Sequence, residues 1–258
     1  MKYIIGNWKM NLNIRESAAL ARGVARFARG KEFLPGIVLC PTFVALSEVR
    51  KILARGRIML GAQNCGPDKN GAYTGEVSPA VLKDIGVNYV ILGHSERRQI
   101  MGESNELIAR KVRAALEAKL IPIVCIGESE EIRLAGNAQE YIHDQLHGSL
   151  SGVTLGRHAK IFIAYEPSWA IGSHHSADIA SVLDMHAYIR KETAKILNTH
   201  IANINVVYGG SVDDQNAYSF LRENEVDGIL VGGASLSIHR FDKILTDAME
   251  IISAQQAL

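Results

Sequence analysis

The chain has 258 residues, 47% of them apolar, with 28 Lys+Arg set against 27 Asp+Glu. Such balance argues against a general nucleic-acid surface, since neutralising phosphates needs a clustered basic excess, and no run of about 18 apolar residues offers a membrane span. The opening MKYIIGNWKMN lacks a signal-peptide hydrophobic region, and Cys40, Cys65 and Cys125 lack metal spacing, so a cytoplasmic protein with reduced thiols is expected.

Eight short apolar runs rich in β-branched residues follow one another, at 3–8, 36–41, 57–63, 88–93, 121–127, 160–166, 203–210 and 227–233. They do not alternate apolar with polar, as expected of parallel strands covered on both faces. Helical periodicity separates them. Within 105–119, Ile108, Val112, Ala115 and Leu116 share one face. Ser78 before Pro79 supplies an N-cap and a first-turn proline. Eight strands alternating with eight helical connections predict one (β/α)8 barrel, a single domain spanning 1–258. A doubly wound open sheet is disfavoured because no Gly-x-Gly-x-x-Gly follows the first strand.

The strand C-terminal ends carry the polar residues. Strand one runs into Asn7-Trp8-Lys9, strand three into Gln63-Asn64, and strand four into Gly93-His94-Ser95-Glu96-Arg97-Arg98. Strand six ends at Glu166, strand seven at Gly209-Gly210-Ser211, and strand eight at Gly232-Gly233-Ala234-Ser235. A barrel brings all of these to one mouth. The glycine pairs after the last two strands suit phosphate, because no Cβ keeps the anion from backbone N–H groups. Turns needing positive φ are the alternative. Lys9 is placed to reach a polarised oxygen, or is simply solvated. His94 precedes a helix starting near Ser95, whose dipole disfavours an imidazolium and so favours a neutral donor over a purely structural ring. His-Ser-Glu without a Pro-Cys-x-x-Cys is not a zinc-deaminase site, and no metal is expected. Glu166, between an apolar strand and Pro167/Trp169, is expected to have a raised pKa, which suits a general base. An internal salt bridge is the competing role. The loop beyond it reads as a lid, with Pro167 stiffening one hinge and Gly172 freeing the backbone further on.

The segments GNWKMN, GAQN…NGAYTGEVSP, LGHSERR, PIVCIGE, AYEPSWAIG, YGGSV and DGILVGGASL, in this order and spacing, resemble the triosephosphate isomerase family over essentially the full length. The resemblance implies cofactor-free interconversion of dihydroxyacetone phosphate and glyceraldehyde 3-phosphate through an enediolate. Glu166 then moves the proton between C1 and C2, His94 shuttles protons between the two oxygens, and Lys9 and Asn7 stabilise the oxyanion. Backbone N–H groups of Gly172, Ser211, Gly232 and Gly233 hold the phosphate, and the lid excludes water from an enediolate that could eliminate it. Glu96 and Cys125 match positions beside the site, Glu96 as a support. A homodimer is implied, with loop 64–78 inserted near the neighbour's Asn7 and Lys9. The chain departs from the family at Ser168, a hinge position more often aliphatic. It departs again at Ser173-His174-His175-Ser176-Ala177, where Thr-Gly-Lys-Thr/Ser-Ala is common. These changes bear on the lid; the adjacent histidines lack a third ligand and do not read as a metal site. Two other readings stay open, an isomerase of a tetrose phosphate and a non-catalytic phosphate binder.

Overall fold

Eight parallel strands close on themselves in chain order: β1 (Tyr3–Asn7), β2 (Gly36–Cys40), β3 (Met59–Ala62), β4 (Tyr89–Leu92), β5 (Ile121–Ile126), β6 (Ile161–Tyr165), β7 (Ile204–Tyr208) and β8 (Gly228–Val231). The closure is visible at Tyr3, which lies opposite Gly36 of β2 on one side and Gly228 of β8 on the other. The structure, a computed structural model, describes residues 1–54, 56–156, 159–170 and 177–256.

The unbroken apolar runs have a direct cause. One set of strand side chains, among them Tyr3, Ile5, Val38, Ile91, Phe162 and Leu230, fills the barrel. The intervening set, such as Ile4, Leu39, Val90, Val124, Ile163 and Ile229, packs outward into the helical layer. Phe162 anchors the interior, its ring edge-on to Tyr3 at 4.8 Å and to Tyr89 at 5.6 Å. Neither strand face meets water, so no polar alternation survives.

The outer layer holds α1 (Ile14–Ala28), α2 (Leu46–Leu53), α3 (Pro79–Ile85), α4 (Ser95–Gln99), α5 (Asn105–Glu117), α6 (Glu130–Leu134), α7 (Ala138–Ser149), α8 (Ile179–Ile196), α9 (Ala217–Leu221) and α10 (Ile238–Gln256). The eight connections therefore contain ten α-helices among the described residues, because those after β4 and β5 are each split. Gly102 (φ +67°) stands between α4 and α5, and Gly136 (φ +76°) between α6 and α7; both adopt the left-handed conformation that ends a helix. The expected cap holds: Ser78 Oγ accepts from the amide of Ala80 at 3.1 Å at the start of α3. The helical face at Ile108, Val112 and Ala115 is buried.

Most strands end one or two residues before the apolar runs do, which leaves Glu166 just beyond Tyr165. One half-buried cation then fixes the turn after β4. Arg98 donates to the carbonyls of Gly93 (2.8 Å) and Cys125 (3.0 Å), to Asn105 Oδ1 (2.7 Å) and to Ser149 Oγ (3.0 Å). It ties the His94 turn to β5, α5 and α7. Among the described residues no helix is long and apolar enough to cross a membrane.

Candidate active site

A cavity of about 260 Å³ opens at the C-terminal ends of the strands, lined by Asn7, Lys9, His94 and Glu166 on one side and by Ser211, Gly232 and Gly233 on the other. These are the site residues expected from the sequence, brought together from five strand ends. Gly172 lies outside the described residues, as do Ser173, His174, His175 and Ser176.

Lys9 stands on a turn that its neighbours enforce. Its φ is +50°, a left-handed conformation that costs a non-glycine residue about 1 kcal/mol or more. The Lys9 amide donates to Asn7 Oδ1 at 3.1 Å, and the Lys9 carbonyl accepts from Gln63 Nε2 at 2.9 Å. Gln63 also donates to the Cys40 carbonyl at 2.9 Å, locking the turn to β2. Asn7 lines the cavity with its side-chain oxygen committed to the turn. The Lys9 ammonium meets Glu96 Oε1 at 2.6 Å. Partial burial pushes the Glu96 carboxyl up, but the hydrogen bond from Lys9, the neighbouring His94 ring and the Lys9 charge outweigh it, leaving the pKa below its ordinary value. Glu96 thus holds Lys9 from the side, in keeping with a supporting place.

His94 is the N-cap of α4, and its Nδ1 accepts the Glu96 amide at 3.2 Å. A nitrogen that accepts a backbone N–H carries no proton of its own, so the ring proton sits on Nε2. That nitrogen lies 3.4 Å from Glu166 Oε1. The Glu166 carboxylate is 2% exposed; Oε2 accepts the Ser95 amide at 3.1 Å, while Oε1 has no hydrogen-bond partner among the described residues. No Lys or Arg pairs with it there, so the salt-bridge role for Glu166 is not what the geometry gives. Cys125 is fully buried and does not line the cavity. Burial, then the nearby Glu166 charge, pushes its thiol pKa well up, which makes it a packing neighbour of the carboxylate.

The glycine wall has two physical reasons, neither of them positive φ. A Cβ on Gly209 would sit 2.8 Å from Glu166 Cγ, and one on Gly210 would sit 2.2 Å from the Tyr208 hydroxyl. These two permit close packing. A Cβ on Gly233 would meet nothing within 4 Å, so that glycine faces open cavity. Among the described residues, the amides of Gly210, Ser211 and Gly233 donate to no other group.

The segment read from the sequence as a lid lies outside the described residues from 171 to 176, and the residues on either side of it are anchored. Ser168 donates twice to the Glu128 carbonyl, from its amide (2.9 Å) and from its hydroxyl (3.0 Å). Trp169 Nε1 and the Tyr165 hydroxyl both donate to Glu128 Oε1, at 3.0 and 2.9 Å. On the far side the Ala177 amide donates to the Tyr208 hydroxyl at 3.2 Å. Serine at position 168 makes this second bond to Glu128, which an aliphatic residue could not make. Gln63, Arg98 and Glu128 were given no role from the sequence. A polar residue at a strand end was the signal for Gln63, but its target is the backbone of another loop, which only the fold reveals.

Fold and cavity together define a (β/α)8-barrel enzyme whose mouth gathers a carboxylate, an imidazole, a lysine and a wall of glycines. Comparison with known proteins gives the particular lineage. The family model described as triosephosphate isomerase matches residues 2–248. The triosephosphate isomerase of Rhodopirellula baltica is 45% identical, over 95% of this chain and 96% of its own, and that of Dictyoglomus thermophilum is 43% identical, over 95% and 98%. The crystal structure of the Bartonella henselae triosephosphate isomerase superposes with a TM-score of 0.84 at 36% identity, covering 96% of this chain and 99% of that one. The chain belongs to the triosephosphate isomerase family.

Proposed function

We propose that Glu166, His94, Lys9 and Asn7 carry the family's reaction in this chain, the interconversion of dihydroxyacetone phosphate and D-glyceraldehyde 3-phosphate. The observation that supports this reading is the Glu166 oxygen Oε1, buried, without a hydrogen-bond partner among the described residues, and 3.4 Å from His94 Nε2 at the cavity wall. Glu166 removes a proton from C1 of the ketose; the C–H electrons form the C1–C2 double bond and the carbonyl electrons move to oxygen. His94 donates its Nε2 proton to that oxygen and recovers one from the neighbouring hydroxyl, while Lys9 offsets the negative charge and Asn7 donates its N–H. Glu166 then returns the proton to C2. Ser211, Gly232, Gly233 and Gly172 hold the phosphate through backbone amides, a role that suits the open space at Gly233. No cofactor or metal takes part. Residues 1–258 serve as one catalytic domain, placed in the cytoplasm.

The working unit is proposed to be a homodimer formed through loop 64–78. Loop tip 69–76 is exposed and includes Tyr73, and Met10, Val44, Val81, Ile100 and Met101 are exposed nearby in chain order, all in the connections after β1 to β4. So many uncovered apolar side chains at one end of four adjacent strands suit a partner's surface. A coupled assay with glyceraldehyde 3-phosphate tests the activity, and 2-phosphoglycolate, an enediolate mimic, should inhibit competitively. No turnover of the triose phosphate, or a preference for a tetrose phosphate, would reject the substrate. Sedimentation showing a fully active monomer at micromolar concentration would reject the dimer.

A further inference from the structure

Helix α7 carries His143 and His147 one turn apart on the same face, their ring centroids 4.1 Å from each other. That face meets α8, where Glu192 Oε1 lies 3.4 Å from His143 Nδ1 and 3.3 Å from His147 Nε2. Lys195 Nζ approaches the same oxygen at 3.4 Å. Three nitrogen groups therefore converge on one carboxylate oxygen. None of these residues lines the cavity at the barrel mouth, and the proton transfer does not use them.

We propose that His143, His147 and Glu192 form a binding site for a divalent cation of the zinc class, clamping α7 to α8 on the outside of the barrel. The geometry carries the proposal. Ligand bonds of about 2.0–2.1 Å at tetrahedral angles place neighbouring donor atoms about 3.3 Å apart. The two nitrogen–oxygen separations have that length, and all three ligand atoms lie within 4.8 Å of one another. Two imidazoles and one carboxylate suit zinc, and nickel or copper through the same donors, whereas magnesium and calcium prefer oxygen ligands alone. The anionic ligand is the buried one: the Glu192 side chain is 11% exposed, those of His143 and His147 39% and 50%. An ion thus enters from solvent past the rings, takes the carboxylate at the bottom and keeps an outward position for water. Lys195, whose side chain is 74% exposed, swings away into solvent and gives up its place.

The site stabilises rather than catalyses. Helix α7 holds two parts of the mouth from behind: Gln145 accepts the Gly127 amide at 2.9 Å, and Ser149 accepts from Arg98. An ion that binds only the folded chain raises its stability by mass action.

Zinc and magnesium are titrated calorimetrically into the metal-stripped full chain, with melting followed in parallel. One zinc per chain is expected, with a Kd on the micromolar scale, and at 100-fold excess over Kd the Tm rises by about 5 °C. Magnesium gives neither effect. Cobalt gives the visible absorption of a four-coordinate site. The double variant His143→Ala/His147→Ala loses at least about 100-fold in affinity, and Glu192→Gln about tenfold or more. Lys195→Ala binds more tightly. The adjacent lid histidines are the competing ligands, so His174→Ala/His175→Ala is titrated alongside and should bind zinc as the parent does. Zinc binding that survives loss of His143 and His147, vanishes with the lid histidines, or is absent up to millimolar zinc overturns the proposal.

Discussion

Glu103 and Glu166 are both buried carboxylates on turns near the barrel mouth, yet they keep opposite company. Glu103 Oε1 is gripped by Arg97 Nε at 2.6 Å and by Lys111 Nζ at 2.5 Å, and Lys111 passes a further bond to Asn64 Oδ1 at 3.0 Å. Glu166, by contrast, makes no direct pair with a Lys or Arg among the described residues; a backbone N–H, a ring nitrogen and the Cys125 thiol lie beside it. Cations beside a carboxylate favour its charged form, whereas a group that must accept and return a proton is better served by neutral donors. One environment stabilises a loop. The other leaves a reactive oxygen free.

The largest effect expected from this contrast is on stability. Glu103→Ala strips the counter-charge from a buried Lys111 and should cost about 3–5 kcal/mol, as removal of one member of a buried pair does. In a chain of this size that lowers Tm by about 10 °C. Activity per folded molecule should stay within about threefold. Unchanged melting would mean that the network around Glu103 only fills space. Glu166→Asp is the mirror experiment. Retracting the carboxylate by about 1 Å should cost on the order of 10²-fold in kcat and little in Tm. Activity within about threefold of the parent would remove Glu166 from the role of base and erase the contrast.

Gln63→Leu should fall between the two. It leaves the Lys9 carbonyl without its donor and takes one of two donors from the Cys40 carbonyl, which keeps the Trp8 amide, at about 1–3 kcal/mol for the lost pairing. It also frees Lys9 to relax from its left-handed backbone. Rates should drop about tenfold, with the loss in kcat rather than KM because the phosphate wall is untouched. A pure loss of stability would place Gln63 with Glu103.

The contrast also marks how far the sequence could be read. The barrel was legible because its two apolar strand sets carry no competing polar signal, and the polar residues at strand ends named most of the cavity in advance. Glu103, Gln63 and Glu128 were not legible. Gln63 and Glu128 are defined by partners from other connections, such as the loop after β1 for Gln63, while Glu103 meets Arg97 and Lys111 across the turn between α4 and α5, and no helical spacing encodes either meeting. The splitting of two connections into paired helices hung on Gly102 and Gly136, whose left-handed turns interrupt an otherwise helical pattern. His143 and His147 drew no reading from the sequence: they stand four apart on one helix, but the carboxylate they share, Glu192, is 45 residues beyond His147 on the next helix.

Glu128 decides whether the contrast has a middle term. It is as buried as Glu103, but it sits under the flank of the lid, and its donors are Tyr165 and Trp169, with Arg133 Nη1 at 3.6 Å. The Arg133 guanidinium also lies over the Trp169 ring, 4.6 Å from its centroid. Trp169→Phe removes one neutral donor from Glu128 and weakens the stacking, since phenylalanine is the poorer ring for a cation. Tyr165 still bonds the same oxygen, and Ser168 still holds the Glu128 carbonyl with two bonds, so the lid flank keeps its anchor. The expected cost is about 1 kcal/mol of stability, with kcat/KM within about fivefold of the parent. Measured melting and steady-state rates on the one variant place the residue. A fall in rate beyond about 30-fold with unchanged melting would move Trp169 and Glu128 to the side of Glu166, making the flank part of the reaction. The smaller, shared loss expected here would leave it as scaffold that happens to border the lid.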